Sequence, residues 1–538
     1  MTQRRVLAIG LDGYEASLAD RLMAEGELPH LRSLRDRSAR FLLHHGSATR
    51  TGLAWEHASS GLDPQAAGRA SAVHFDTQSY QAWHGGTTLT PFPAHLNRST
   101  VVFDAPYFDL ARAPTVRGIV NWGAHDPGTA RGSRPNGLVG ELLERFGEYP
   151  ARERMYDVVW PCVEQTRALG DTLVRASDLR TRAARWLLAE RCPEWELAFV
   201  VAGELHSAIE NLWHGIDPTH PLHHLPSAAV AAQGLLAVHR AADRFVGELV
   251  TAFPEATVVA FAMNGMGPNR SDVASMVLLP ELLYRHHTSR PLLRTPRRWS
   301  RAPAGLPMAD PAIPWSQIIK TQIRQFPEPL DSARRIAARV LPESVKRRLR
   351  TAAPQAFHTA EGELRLPLDW MPTELYRPHW QRLPYFALPS FYDGRVRINL
   401  EGRERSGIVA RADYPSVCDA IEALVRDCRD VRTGEEVVDQ VVTCGGSDPL
   451  ELGPTGCDLI ITWSNAALGF EHPSLGCIGP VPYRRTGGHT GPHGMALLAG
   501  DGISSGDFGV RDSYDVIPTV FRLLGADIPG KLSGSPLL

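Results

Sequence analysis

The chain has 538 residues, more than the ~250–300 that one hydrophobic core usually organises, so two domains or one large core with an insertion is expected. Apolar residues make up 43 % and charged residues 22 %, which excludes a disordered, collagen-like or disulfide-framed chain. The net charge of −2 leaves no whole-chain field to attract nucleic acid.

The basic residues are almost all arginine, with lysine only at 320, 346 and 531; a GC-rich genome accounts for this without any demand for guanidinium groups. Seven cysteines with no CxxC pair point to reduced thiols. The first apolar run, Val6–Leu11, is too short for a signal-peptide core. No stretch approaches ~18 apolar residues, so no membrane span is expected and the cytoplasm is the expected location.

The run Val6–Leu11 closes at Asp12-Gly13 and reads as a buried central strand of a doubly wound sheet. Leu18–Ala24 has helical spacing, stopped by Gly26 and Pro29. Further strands are expected at Thr100–Phe103, Ala198–Val201, Thr257–Ala262, Leu459–Thr462 and Met495–Ala499. Helices are expected between them, at Leu179–Glu190 and Ala228–Phe253. This alternation predicts an α/β fold, a mainly parallel central sheet with helices on both faces. In such sheets functional groups gather at the carboxyl ends of the strands.

One segment departs from the pattern. Between Arg285 and Arg350 stand 15 Arg plus Lys against four acids, a local charge of +11, with the balance of −13 on the rest of the chain. Arg290–Pro314 is Pro/Arg-rich without periodicity and reads as loop, whereas Ser332–Leu349 has helical spacing with an arginine-rich face. The segment is a solvated basic insertion, a cap that draws an anionic substrate, or, least favoured, a contact for an acidic membrane surface or nucleic acid.

Several motifs lead nowhere. Gly525 to Lys531 spells most of a P-loop, but Leu532 replaces the Ser or Thr and too little chain follows for the phosphate-binding helix. There is no GxSxG elbow, no HExxH and no GxGxxG after a strand.

Ligand-type residues collect after strand candidates at Asp12, at Thr49 to Trp55, at Glu204 to His214 and at Gly487 to His493. A carboxylate, a hydroxyl and His/Glu sets on separate loops suit a metal-assisted site, because imidazole and carboxylate together match zinc or manganese. His206 and Glu210 share a face if their stretch is helical.

Taken in order, these blocks resemble the alkaline phosphatase superfamily, in particular its type I phosphodiesterase/nucleotide pyrophosphatase branch. The matching text is Val6 to Gly13, Gly26 to Leu31, Thr51-Gly-Leu-Ala-Trp55, Ser60 to Pro64, Glu204 to His214, Asn264-Gly-Met-Gly-Pro268, Arg397 to Glu404, Arg485-Thr-Gly-Gly-His489 and Asp515 to Gly525. The resemblance implies two divalent ions, usually zinc, flanking a hydroxyl nucleophile that attacks phosphorus in line. Thr51 would be that nucleophile, with Thr49 as the alternative, and Asp12 a metal ligand. Met263-Asn264 stand where an Asp-His pair belongs, so one ion loses two ligands and Asn264 is at best a weak one. The other ion would rest on His206, Glu210 and His489, a two-His, one-carboxylate set with imidazole and carboxylate exchanged.

Glu204 would orient a ligand from outside the coordination sphere; His214 is left as a replacement ligand or a lining residue, and His493 as a phosphate donor or a spectator. His214, Asp217, His220, His223 and His224 also form a polar cluster that could attract metal adventitiously, and His125-Asp126 follows the strand-like Gly118–Trp122.

The sequence thus predicts an alkaline-phosphatase-like core at 1–270 and 385–538 with a basic Arg/Pro-rich cap at 271–384. Its leading function is a metal-dependent hydrolase or group-transfer enzyme acting on a small anionic ester (a phosphodiester, a pyrophosphate or a relative), with one or two divalent ions, zinc or else manganese. The alternatives are a family member that has lost catalysis and binds or regulates, or a single-metal transferase or lyase. No nucleic-acid partner is expected, and the sequence leaves the oligomeric state open.

Overall fold

The computed structural model describes residues 4–45, 53–124, 129–152, 161–324, 357–358, 364–445 and 448–538. Its centre is a nine-stranded sheet ordered Gly506–Asp512, Ala39–His44, Gly494–Ala499, Thr257–Ala262, Val6–Leu11, Leu197–Ala202, Thr100–Phe103, Arg117–Val120, Gly132–Arg134. Only Gly494–Ala499 and Gly132–Arg134 run against their neighbours. The other pairings are parallel, so the α/β expectation of a mainly parallel sheet holds.

Strand alternation sends side chains to two faces, and both faces are covered. Leu7, Ile9, Leu11, Val200 and Ala260 pack with residues of the helices Ala16–Ala24, Pro29–Asp36, Val163–Trp186 and Ser227–Ala252. Val6, Ala8, Phe199, Val259 and Phe261 pack oppositely, with residues of the helices Ala54–Ser60 and Val516–Leu523. Because every residue of Val6–Leu11 is buried, this strand shows no polar alternation in sequence, as a sheet covered on both sides requires.

A second hydrophobic cluster runs from Val273 to Tyr483 and takes in Tyr80 and Leu222. It draws on the segment expected as an insertion, 271–384, and on the chain beyond 385. Leu459–Trp463, expected in the central sheet, belongs here instead: it pairs antiparallel with Gly394–Ile398 and Val438–Thr443. An isolated apolar run does not reveal which sheet it joins.

The Pro/Arg-rich stretch contains a one-turn helix at Arg297–Ser300 and a tight turn at Pro303–Gly305 and inserts Leu293, Trp299 and Leu306 into this second cluster. It is anchored by apolar side chains rather than wholly solvated. The helix expected at Ser332–Leu349 lies outside the described residues. No helix among the described residues is long and apolar enough to cross a membrane.

Candidate metal centre

Three adjacent parallel strands deliver the site. In register, Leu11 lies beside Ala202 and Gly10 beside Phe261, so Asp12, the helix Glu204–Leu212 and Asn264 all emerge at one edge of the sheet. Gly13 makes the first turn possible: its φ is +81°, and a Cβ there would lie 2.2 Å from the His206 backbone. Only glycine tolerates both conditions. The Asp12 carbonyl then accepts the His206 N–H at 3.0 Å.

His206 and Glu210 do share a helix face, one turn apart, with His206 Nε2 3.1 Å from Glu210 Oε1. His489 arrives on the strand Gly487–Gly491, which pairs antiparallel with Gly265–Pro268. That strand lies hard against the helix: a Cβ on Gly487 would sit 2.2 Å from the Ile209 carbonyl oxygen, and Thr486 N–H donates to the Glu210 carbonyl at 2.9 Å. The result is a buried group, His206, Glu210 and His489, whose ligand atoms all lie within 4.8 Å of one another.

Both imidazoles are held from behind. Asp12 Oδ2 lies 2.9 Å from His206 Nδ1, and the Asn264 amide lies 2.6 Å from His489 Nδ1. The two Nε2 atoms consequently face each other at 3.0 Å. In this geometry Asp12 and Asn264, expected as ligands, stand behind the two histidines and fix their ring orientation, the role that outer partners of metal-bound histidines commonly fill. The Tyr392 ring covers His489 edge-on, its centroid 4.4 Å away.

The electrostatics fit a cation. Burial by itself would lower the His206 pKa, but the carboxylates of Asp12 and Glu210 outweigh it and raise the ring to about 10. His489, buried and facing that positive ring, is lowered to about 3. His206 is therefore an imidazolium, with Nδ1–H on Asp12 and Nε2–H toward Glu210 and His489, and a divalent ion would displace the Nε2 proton. Separations of 3.0 Å between the Nε2 atoms and 3.1 Å from His206 to Glu210 approach the donor spacing of about 3.3 Å implied by zinc–nitrogen bonds of ~2.0–2.1 Å in a tetrahedron. The donor set, two imidazoles and one carboxylate, suits zinc.

Sequence reasoning missed Arg485. Its Nη1 contacts Glu210 Oε1, both side chains buried, and the neighbouring Arg484 pairs with Asp272 at 2.6 Å. Arg485 stands four residues before His489 in a block already recognised, but nothing in that spacing discloses a cross-chain ion pair.

The remaining candidates scatter. Glu204 is bound by Arg180 Nε at 2.8 Å and Tyr149 Oη at 2.7 Å. His214 points Nε2 to Ser227 Oγ at 3.2 Å and has its ring centroid 6.3 Å from that of His220. The His493 ring lies 6.5 Å from that of His44. Thr51, Thr49 and the His125-Asp126 pair lie outside the described residues.

Fold and site together define a class: an α/β protein with a two-His, one-carboxylate centre at the carboxyl edge of its parallel strands. No protein-family model matches the chain, and neither does any curated protein. Among solved structures it is similar to phosphonoacetate hydrolase from Sinorhizobium meliloti 1021, at 13 % identity and a TM-score of 0.48 over 97 % of this chain and 96 % of that one. It is also similar to human ectonucleotide pyrophosphatase/phosphodiesterase 5, at 9 % identity and a TM-score of 0.44 over 99 % and 97 %. The murine form of the latter, solved with AMP, gives 9 % and 0.45 over the same shares.

Proposed function

We propose that this chain is a metal-dependent hydrolase or group-transfer enzyme acting on a phosphodiester, pyrophosphate or related anionic ester. The observation that carries the reading is the convergence of His206, Glu210 and His489, buried and within 4.8 Å, with the far nitrogen of each histidine already engaged. These three residues would hold one divalent ion, zinc before manganese. Bound there, such an ion supplies Lewis acidity toward the oxygens of the ester.

The chain's own groups do the rest. Asp12 holds the proton on His206 Nδ1 and keeps Nε2 directed inward, and Asn264 does the same for His489. Tyr392 shields the His489 ring from water. Arg485 fixes the Glu210 carboxylate and places a permanent positive charge beside the site, suited to an anionic substrate. Thr51, assigned as nucleophile by resemblance, stands in the chain between the strand Ala39–His44 and the helix Ala54–Ser60.

Elemental analysis of the purified protein, paired with hydrolysis of a chromogenic phosphodiester, tests the reading. The expectation is about one divalent ion per chain and a rate that falls about 100-fold or more in Thr51→Ala and in His206→Ala. A protein that holds no ion, with Thr51→Ala indistinguishable from the parent, overturns it in favour of a binding or regulatory role. Products in which the cleaved group is passed to an alcohol rather than to water identify a transferase.

A further inference from the structure

The segment that carries Arg485 also builds a second charged recess beside the metal centre. Arg270, Asp272, Arg484 and Arg485 line a small pocket, with Leu468 and Tyr483 on its apolar side. Of these the proposed chemistry uses only Arg485, through its contact with Glu210. Backbone contacts hold the recess in shape. The Asn269 N–H donates to the Thr486 carbonyl at 3.0 Å, and Asn269 Oδ1 accepts the N–H groups of Ser271 and Asp272, both at 3.1 Å. The loop bearing Arg270 and Asp272 is thereby fixed to the segment that runs from Arg484 to His489.

Arg484 is the group in this recess with a donor left over. It is 5 % exposed, its Nη1 donates to Asp272 at 2.6 Å, and its guanidinium lies over the Trp370 ring, 5.2 Å from the centroid. These contacts fix the head group. Its Nη2 is buried and has no hydrogen-bond partner among the described residues. A buried N–H left unpaired is costly, and a guanidinium can only donate, so what completes it must be an acceptor. The charge balance selects the kind of acceptor. Three guanidinium groups and one carboxylate line the pocket, and even with Glu210 counted against Arg485 one positive charge is left over. Arg270 is exposed, so that charge stands where a solute can reach it. A phosphate monoester carries about two negative charges and three acceptor oxygens, enough to serve two separate guanidinium groups, as one carboxylate is not.

We propose that this pocket is an oxyanion site in which Arg484 Nη2 and Arg270 hold a phosphate group. Arg485 lines the pocket and also touches Glu210, so the two sites lie one side chain apart and a single small molecule can span them. The substrate class is then an ester that carries a second, terminal phosphate: the ester sits at the metal and the phosphate in the pocket. This last step rests on the proposed function, whereas the oxyanion site does not.

Calorimetric titration of the full-length protein with inorganic phosphate tests the site. The parent is expected to bind phosphate, and His206→Ala, whose metal centre lacks a ligand, to keep a site of unchanged affinity. Arg484→Gln should weaken that site about tenfold or more. Arg270→Gln, a change at an exposed position, should weaken it several-fold and decides the matter if Arg484→Gln fails to fold. Affinity equal in the parent and both arginine variants, binding that disappears in His206→Ala, or displacement of phosphate by equimolar acetate overturns the phosphate site. The substrate class is read from the ratio of kcat/KM for para-nitrophenyl phosphopropyl phosphate to that for para-nitrophenyl butyl phosphate. The ratio should exceed one in the parent and fall about tenfold in Arg484→Gln. An unmoved ratio overturns the two-phosphate substrate. Hydrolysis of neither diester overturns the proposed function and the substrate class with it, while the phosphate titration still decides the oxyanion site.

Discussion

The Asn264 amide lies 2.6 Å from Nδ1 of His489, on the far side of the ring from the Nε2 that faces His206. A neutral imidazole carries one proton, and its Nε2 here accepts from the protonated His206. Its Nδ1 must then donate, so the amide presents its oxygen to that nitrogen, a half-turn about the last side-chain bond. Asn264 thus does for His489 what Asp12 does for His206, without adding a charge. Replacing it with leucine removes the acceptor while keeping the volume. The expected outcome is a divalent-ion affinity lower by about 10–100-fold, read by competition with a chromogenic chelator. An unchanged affinity would show that the ring is held by packing alone.

Arg485 and Glu210 make a buried ion pair at a carboxylate that also faces His206. Breaking one side of such a pair leaves a charge without its partner and typically costs ~3–5 kcal/mol. Arg485→Met should therefore lower the thermal midpoint of the chelator-treated protein. Added zinc should restore more stability to the variant than to the parent, because the ion now supplies the positive charge Glu210 lacks. Equal shifts in both proteins would mean that zinc does not reach Glu210.

Much of this centre was legible in the sequence. The strand-then-ligand rhythm at Asp12, His206 and Asn264 reflects the alignment of parallel strands, which periodicity discloses. His206 and Glu210 fall four apart on a helix, and helical geometry alone puts them on one face. What could not be read is which nitrogen of each histidine faces inward. That depends on Asp12 and Asn264, whose contacts bridge 194 and 225 residues of sequence. Arg485 escaped for the same reason. The strand expected at Leu459–Thr462 forms, over Leu459–Trp463, but in a different sheet, since a fully buried strand looks alike in either.

Several buried histidines outside the centre set the acid limit of the protein. Burial lowers His57, His220 and His239 to about 4, and His84 and His214 to about 3, against about 6.5 in the unfolded chain. Each contributes stability that is complete above pH 6.5 and is lost as pH falls toward the folded value, because the unfolded state takes up the proton first. In that window each costs about 1.4 kcal/mol per pH unit. The thermal midpoint should fall steeply between pH 6.5 and 4.5, and less steeply in His239→Gln, which removes one titrating ring. A midpoint flat across that range would mean these rings are protonated in the folded state.

Arg180 ties three strand ends together beneath the site. It is 1 % exposed and donates to Asp104 at 2.7 Å, to Glu204 at 2.8 Å and to the carbonyls of Val201 and Gly123 at 3.1 and 2.9 Å. Asp104 in turn accepts from the backbone N–H groups of Trp122 and Gly123, and Tyr149 Oη donates to Glu204. Two buried carboxylates therefore depend on one guanidinium, and Glu204 opens the helix that carries His206 and Glu210. Arg180→Met keeps most of the packing but strands both charges, so a loss of about 3–5 kcal/mol is expected in denaturant unfolding. Arg180→Lys should recover only part of it, because one ammonium cannot reproduce four directed contacts. If Arg180→Met unfolds at the parent's midpoint, the guanidinium contacts do not hold these strand ends together.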